Sequence, residues 1–110
     1  MFDVLTNNMQ FREVYKQGKS YANKYLVMYV LENGLARNRY GITVSKKVGN
    51  SVVRHRVTRL IRESIRLQSN QFMDGFDIVF VARVAVKDKK YQDVESALLH
   101  LGNLHKIVKR

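Results

Sequence analysis

The stretch KKVGNSVVRHRVTRLIRE, residues 46–63, holds six lysines and arginines, one histidine and one acid in a turn followed by a helix. On a wheel of about 100° per residue the apolar side chains share one side, predicted to be buried: Val53, Val57, Leu60 and Ile61, with Ser64 between them. The opposite side is basic: His55, Arg59, Arg62 and Arg66. Arg54 and Arg56 fall on opposite flanks. The pattern predicts an amphipathic helix with a cationic outer side.

Positive charge continues around this helix. From Arg37 to Arg62 there are eight lysines and arginines and no acid, and the whole chain has a net charge of +11 and a pI of about 10.2. The alternative is an ordinary solvated surface with no binding role, but such surfaces normally carry both positive and negative side chains. A guanidinium group can form bidentate hydrogen bonds to the oxygens of a phosphate. The N-terminus of a helix also favours anions. Charge therefore favours a nucleic acid, with double-stranded DNA fitting as well as RNA.

Length and composition restrict the other classes. A chain of 110 residues with 45% hydrophobic side chains predicts one domain, residues 1–110, with a real core. No apolar run approaches the roughly 18 residues of a membrane-spanning helix, so an anionic membrane is the weaker partner. Cysteine is absent, which excludes disulfides and cysteine metal sites. Since the N-terminus MFDVLTNNMQ lacks secretion-signal features, a cytoplasmic location is expected.

Local patterns predict an α+β domain. A short helix is expected over residues 8–17, capped by Asn7 or Asn8 and stopped by Gly18. Strands are expected over residues 25–31, 39–45 and 77–82, with a further short strand between residues 18 and 23. The basic helix runs from Ser51, as its cap, to about Ser69. Asp88 is expected to cap a last helix with an inner stripe: Val94, Leu98, Leu101 and Leu104.

Three aromatic side chains near the basic segments have two interpretations. Phe11 and Tyr15 lie four apart on the first helix, and Tyr29 lies in the first long strand. Such rings can stack on unpaired bases. They can equally be core residues, since aromatics four apart on a short helix usually bury themselves.

Three segments, in order, resemble the protein subunit family of bacterial ribonuclease P over nearly the whole chain. Residues 45–63, SKKVGNSVVRHRVTRLIRE, are similar to the family signature SKK-x-G-N-x-V-x-R-N-x-x-x-R-x-x-R. Residues 11–30, FREVYKQGKSYANKYLVMYV, are similar to its F-x-x-V-(F/Y)-K-x-G-x-S-x-A-N segment, and residues 77–83, DIVFVAR, to its D-(I/Y)-(V/I)-x-(I/V)-A-R strand.

The resemblance implies both a fold and a function. The fold is a two-layer α-β sandwich like that of certain ribosomal proteins, with element order α-β-β-β-α-β-α and a left-handed β-α-β crossover, a handedness that is rare. The function is that of an RNA-binding subunit of the enzyme that cuts the 5′ leader from precursor tRNA. A catalytic RNA holds Mg²⁺ there, and the protein is expected to have no catalytic residue, no metal of its own and no required protein partner.

The resemblance also assigns residues to two RNA partners. The positions expected to bind the catalytic RNA are Lys46, Lys47, Asn50, Arg54, His55, Arg56, Arg59, Arg62 and Arg66. The positions expected to line a cleft for the single-stranded leader are Phe11, Tyr15, Lys16, Tyr29 and Thr43. The rings of Phe11 and Tyr15 are therefore expected to be partly exposed.

Two positions depart from the family pattern. His55 stands where the signature has asparagine; a neutral imidazole can donate and accept hydrogen bonds, but a protonated one only donates. RNA contact, possible in either form, is still expected there. Val84 stands where the family often has proline, which affects the shape of a loop.

Two other functions compete with this interpretation. A free-standing metal nuclease needs clustered carboxylates, but the nine acids are scattered, and the spacing of His100 and His105 matches no zinc-protease motif. A ribosomal or nucleoid protein of the same fold would share the charge and would not need a leader cleft.

Overall fold

A five-stranded mixed sheet forms the centre of the computed structural model, which describes residues 2–109. In chain order the elements are β1 (Asp3–Val4), α1 (Asn8–Gln17), β2 (Lys19–Ala22), β3 (Leu26–Glu32), β4 (Arg39–Thr43), α2 (Ser51–Gln68), β5 (Phe76–Ala82) and α3 (Tyr91–Leu104). Short 3₁₀ turns occupy Ser69–Gln71 and Val84–Val86. The strands lie in the order β1-β4-β5-β3-β2.

Strand pairing produces the expected β-α-β crossover. β4 and β5 are parallel neighbours joined through α2, whereas β3 runs antiparallel to β5 and to β2. Because side chains alternate across a strand, the register gives each face of the sheet a distinct set. Met28, Ile42 and Phe80 face α2 and α3, and Tyr29, Thr43 and Val81 face α1.

The main core lies between the sheet and the layer of α2 and α3. From α2 it takes Val57, Ile61, Ser64 and Ile65, all fully buried. The predicted buried side of the basic helix is therefore confirmed at its centre, while Val53 and Leu60 are only half-buried at its borders. On the opposite face α1 covers part of the sheet, anchored by Val14, which packs with Leu5 and Val79.

The ends of the helices correct two details of the sequence prediction. Asn50, and not Ser51, caps α2: its side-chain oxygen accepts a hydrogen bond from Val53 N at 3.0 Å. Asp88 does not cap α3, because a 3₁₀ turn delays the helix to Tyr91, and the carboxylate of Asp93 accepts from Lys90 N at 3.0 Å instead.

Leu104 and β1 also depart from the sequence prediction. Leu104 is exposed at the end of α3, because the chain turns there and Ile107 takes the buried place. The two-residue β1 was not predicted. It is defined only by pairing with Arg39 and Tyr40 of β4, a contact that no local pattern records.

No helix within residues 2–109 is both long and apolar enough to cross a membrane.

Candidate nucleic-acid interface

The outer side of α2 is exposed and cationic, as its periodicity predicts. We call its exposed basic side chains the arginine surface: His55, Arg59, Arg62 and Arg66. Of the ion pairs formed within residues 2–109, only one involves this surface, between Arg66 and Glu63 at 2.5 Å. The Arg66 guanidinium lowers the pKa of the Glu63 carboxyl through this hydrogen bond. Arg59 and Arg62 remain outside any such pair.

The two flanking arginines of α2 are bound to main-chain carbonyls. Arg54 Nη1 donates to Gly49 O at 3.0 Å, which ties the helix to the loop before it. Arg56 donates from Nη1 to Lys87 O at 3.2 Å and from Nη2 to Lys89 O at 2.7 Å, which ties the helix to the loop before α3. Both were assigned to RNA from sequence, and in this structure both guanidinium groups also have local structural partners.

Two arginines that contributed to the apparent block of positive charge are neutralised by acids distant in sequence. Arg39 forms a bidentate pair with Asp77, each bond 2.8 Å long, and this bond raises the pKa of the guanidinium. Arg37 Nε lies 2.7 Å from a carboxylate oxygen of Asp3. The positive charge that acids do not neutralise therefore covers a smaller region than residues 37–62 of the sequence suggest. It centres on α2 and the loop before it.

The loop of residues 44–50 presents its lysines beside the start of α2. Lys46 and Lys47 are exposed, whereas Val48 between them and the helix is buried. Gly49 allows a close approach, since a Cβ there would lie 2.7 Å from a side-chain carbon of Val53. The side-chain oxygen of Asn50 is used in capping α2, which leaves its amide nitrogen for other partners.

Two grooves run along the sides of the arginine surface. One, of about 340 Å³, lies between α2 and the end of β4 and is lined by Ile42, Val44, Ser51, Arg54, His55, Thr58, Arg59 and Arg62. The other, of about 640 Å³, lies toward the start of α3 and is lined by Arg56, Arg59, Leu60, Arg62, Glu63 and Tyr91. Arg59 and Arg62 border both grooves, so their charges reach either one.

On the other face of the sheet, α1 lies beside the strand residues that were predicted to line a leader cleft. Phe11 packs directly over Gly41, where a Cβ would lie 2.5 Å from a ring carbon. Tyr15 OH hydrogen-bonds to Thr43 Oγ1 at 2.7 Å. The Tyr15 ring also meets the ring of Tyr29 edge-on, with centroids 5.0 Å apart.

The five residues predicted for a leader cleft therefore lie on this face or on the helix that borders it. Tyr15 is 38% exposed and Phe11 is partly exposed, which confirms the predicted partial exposure of both rings. Lys16 is exposed in the last turn of α1. We call Phe11, Tyr15, Tyr29 and Thr43, with Lys16 at the rim, the aromatic cleft.

The sequence reasoning missed the floor of the aromatic cleft. Val27 and Val81 are register partners on the same face as Tyr29 and Thr43, and both are partly exposed. The signal for Val27 was present, because residues two apart on a strand share a face. The contribution of Val81 depends on strand pairing, which the sequence does not state.

The arginine surface and the aromatic cleft meet at the edge of β4. Within residues 2–109, β1 pairs with β4 only at Arg39 and Tyr40, so the outer edge beyond Tyr40 has no strand beside it. At this edge Thr43 faces the cleft, while Ile42 and Val44 line the groove beside α2. The arginine surface and the aromatic cleft therefore lie on the two sides of one open strand edge.

Glu95 and His105 have structural partners. Glu95 accepts from Tyr91 OH at 2.6 Å and from Gln68 Nε2 at 2.9 Å, and the burial of Tyr91 with this bond raises its pKa to about 12. His105 Nε2 lies 2.8 Å from Met28 O, and burial lowers the pKa of its ring. Within residues 2–109 no three histidines or acids cluster closely enough to hold a metal ion.

All comparisons with known proteins match members of one family. The family model described as Ribonuclease P matches residues 2–106. A ribonuclease P protein component from Lachnoclostridium phytofermentans is 61% identical over 108 residues, which cover 98% of this chain and 93% of that protein. Another from Alkaliphilus oremlandii is 56% identical over 97 residues, or 88% and 85% of the two chains.

Solved structures agree with this match over almost the whole fold. The RNase P protein of Staphylococcus aureus superposes with a TM-score of 0.89 at 32% identity, covering 99% of this chain and 100% of that one. The RNase P protein of Thermotoga maritima superposes with a TM-score of 0.85 at 30% identity, covering 93% and 96%.

Proposed function

This chain belongs to the ribonuclease P protein family, and on that premise we propose that its two surfaces serve two different RNA partners. The chain acts as the RNA-binding subunit of ribonuclease P, the RNA-processing enzyme that removes the 5′ leader from precursor tRNA. The arginine surface, with Lys46 and Lys47, binds the catalytic RNA. The aromatic cleft holds the single-stranded leader. The observation that carries this division is the meeting of both surfaces at the open edge of β4.

The arginine surface suits a folded RNA because it presents charge without neutralising acids. Arg59 and Arg62 border grooves on both sides of α2 and form no ion pair within residues 2–109. Each guanidinium can bind two oxygens of one phosphate. Binding releases counterions from the RNA, so affinity should fall steeply as salt rises.

The aromatic cleft suits an unpaired strand because it combines exposed rings with a nearby cation. The edge-on contact of Tyr15 with Tyr29, and its hydrogen bond to Thr43, hold the Tyr15 ring in one orientation. A base that stacks on such a ring gains about 1–3 kcal/mol, largely without regard to its identity. Lys16 at the rim is placed to meet the backbone of the same strand. This chemistry fits leaders of many sequences.

The division of labour leaves hydrolysis to the catalytic RNA. Several acids of the protein are engaged in ion pairs, caps or hydrogen bonds, as in Asp77 with Arg39 and Glu95 with Tyr91, and within residues 2–109 no three histidines or acids cluster closely enough to hold a metal ion. Mg²⁺ is held mainly by the RNA, and the protein holds the leader beside it. No protein partner is required, and the enzyme works in the cytoplasm.

Binding to separate RNAs tests the assignment of the two surfaces. Arg59→Ala and Arg62→Ala should each weaken binding of the catalytic RNA and reduce the salt slope by about 0.7–0.9 units per lost phosphate contact. The slope is obtained from dissociation constants measured over a series of salt concentrations. An unchanged slope in both variants would remove phosphate contact from the arginine surface.

A matched comparison separates the cleft from the arginine surface. With the assembled ribonucleoprotein, Phe11→Ala should weaken binding of leader-bearing precursor by about 1–3 kcal/mol and leave binding of mature tRNA nearly unchanged. Leu104→Ala, which changes an exposed apolar residue at the end of α3 and outside both surfaces, is the control. Equal losses for precursor and mature tRNA would contradict leader binding in the aromatic cleft.

A further inference from the structure

A second group of cations lies at the end of the sheet where β4 and β5 finish. Because these strands are parallel, their C-terminal ends share one edge of the sheet, so the segment after β5 lies near the segment before α2. We call residues 83–90 the lysine loop; its cations are Arg83, Lys87, Lys89 and Lys90. Lys24, in the turn before β3, adds another nearby.

Hydrogen bonds from arginine side chains to main-chain carbonyl groups hold the lysine loop in place. Arg56 of α2 donates to Lys87 O at 3.2 Å and to Lys89 O at 2.7 Å. Arg83 Nη1 donates to Asn23 O at 2.8 Å, which ties the loop to the turn before β3. These bonds satisfy carbonyl groups and leave the ammonium groups uninvolved.

Aromatic contact fixes part of the loop and leaves two lysines outside. Lys89 Nζ lies 5.6 Å and Lys24 Nζ 6.0 Å from the centre of the Tyr25 ring, within the range of a cation–π contact. Lys87 and Lys90 are exposed, and no ion pair within residues 2–109 includes either side chain.

The acids around the loop leave it with a net positive charge, since residues 83–90 hold four cations and one acid. The Asp93 carboxylate accepts from Lys90 N, where it serves the start of α3. Asp88 is exposed and forms no ion pair within the described residues. Like charges held close together repel one another, and a polyanion that spans them relieves that repulsion. The cluster thus has the chemistry of a phosphate-binding surface.

We propose that the lysine loop is an additional contact surface for the catalytic RNA and that Arg56 is a positioning residue for it. The guanidinium of Arg56 binds the loop carbonyls and fixes Lys87 and Lys90 beside the arginine surface, where they meet phosphates. This inference rests on the proposed function of that surface. The catalytic RNA is the partner because Arg56 belongs to α2, which makes the two surfaces continuous, whereas the aromatic cleft lies on the opposite face of the sheet.

The test measures the salt slope for binding of ribonuclease P RNA by the full-length protein. Lys87→Gln with Lys90→Gln should reduce the slope by about 1.5 units, at about 0.7–0.9 per phosphate contact. Arg56→Gln should reduce the slope by a similar amount in the native protein. In the protein that already carries Lys87→Gln and Lys90→Gln it should change the slope by almost nothing, because its effect acts through those two lysines. Arg56→Lys should restore part of the loss.

Two controls keep the result interpretable. Lys106→Asn with Lys109→Gln removes two charges near the start of β5, at the other end of the sheet, and should change the slope little. Arg59→Gln tests the arginine surface itself. Thermal unfolding of each free variant confirms that it folds, and the exposed lysines can be replaced without loss of packing.

The outcomes separate this inference from the function on which it rests. If Arg59→Gln lowers the slope and the paired loop substitutions do not, the lysine loop is not an RNA contact and the proposed function stands. If Arg59→Gln leaves the slope unchanged, the proposed function fails. If the losses from Arg56→Gln and from the loop substitutions simply add, Arg56 binds phosphate itself and the positioning role is refuted.

Discussion

Gly41 allows the first helix to lie against the sheet, and a single methyl group there tests the construction of the aromatic cleft. An alanine Cβ at this position would lie 2.5 and 2.7 Å from two ring carbons of Phe11 and 3.2 Å from Leu5 Cδ1. Contacts under 3.0 Å force a movement. α1 is anchored by the fully buried Val14, so the movement falls on the Phe11 ring or strains the packing of the helix.

The expected size follows from overpacking of a well-packed site. Such insertions typically cost about 1–3 kcal/mol. A domain of this size loses about 4 °C of melting temperature per kcal/mol, so Gly41→Ala should melt about 4–12 °C lower. Because the displaced ring belongs to the aromatic cleft, the same variant should also bind leader-bearing precursor more weakly, with little change in binding of the catalytic RNA.

A double-mutant cycle identifies the cause. Thermal unfolding followed by circular dichroism is measured for Gly41→Ala, Phe11→Ala and both together. In the Phe11→Ala protein the ring is gone, so the added methyl group should cost almost nothing. If Gly41→Ala destabilises equally with and without the ring, Phe11 does not pack over this glycine and the geometry of the cleft is wrong.

Three further predictions concern single side chains. Arg39→Met leaves the buried Asp77 carboxylate without its ion-pair partner and should lower the free energy of unfolding in urea by about 2–4 kcal/mol. Arg37→Met breaks the exposed pair with Asp3 and should change the free energy of unfolding by about 0.5 kcal/mol or less. Equal losses in the two variants would contradict the difference in burial. Burial lowers the pKa of His105 in the folded protein below its ordinary value of 6.5. As the pH drops below 6.5, the unfolded chain takes up the proton before the folded protein does, so the free energy of unfolding should fall. His105→Gln should remove this dependence of stability on pH. Tyr15→Phe breaks the bond to Thr43 but keeps the ring, so it should lower affinity for precursor less than Tyr15→Ala; identical losses would mean that the hydroxyl and not the ring matters.

The amphipathic character of α2 could be predicted because it depends on local periodicity alone. The positions of Val57, Ile61, Arg59 and Arg62 follow from a rotation of about 100° per residue, which a helix imposes whatever surrounds it. The four longer strands, β2 to β5, were also predictable, since alternation and β-branched residues mark them. The resemblance to a family then supplied the order of the layers.

Contacts between distant segments could not be predicted in the same way. The ion pairs of Arg39 with Asp77 and of Arg37 with Asp3 join residues that only the sheet brings together. The link from Arg56 to the lysine loop likewise depends on the parallel pairing of β4 with β5. A count of charges along the sequence therefore overstated the free charge near β4 and missed the cations beside α2.

The aromatic residues show where periodicity leaves a choice. Phe11 and Tyr15 repeat at helical spacing, which fits both a core and an exposed site. The distinction depends on how much of the sheet α1 covers, and a ten-residue helix covers only part of a five-stranded sheet. The family pattern, and not the spacing, pointed to the exposed alternative.

Cleavage of a precursor tRNA at low Mg²⁺ tests the central claim most directly. Three mixtures are compared: the protein alone, bacterial ribonuclease P RNA alone, and the two together. Efficient removal of the 5′ leader is expected only when both are present, and the gain should be lost when Arg59 and Arg62 are both replaced by alanine. Cleavage by the protein alone, or no gain from adding it to the RNA, would show that the chain is not the RNA-binding subunit of ribonuclease P.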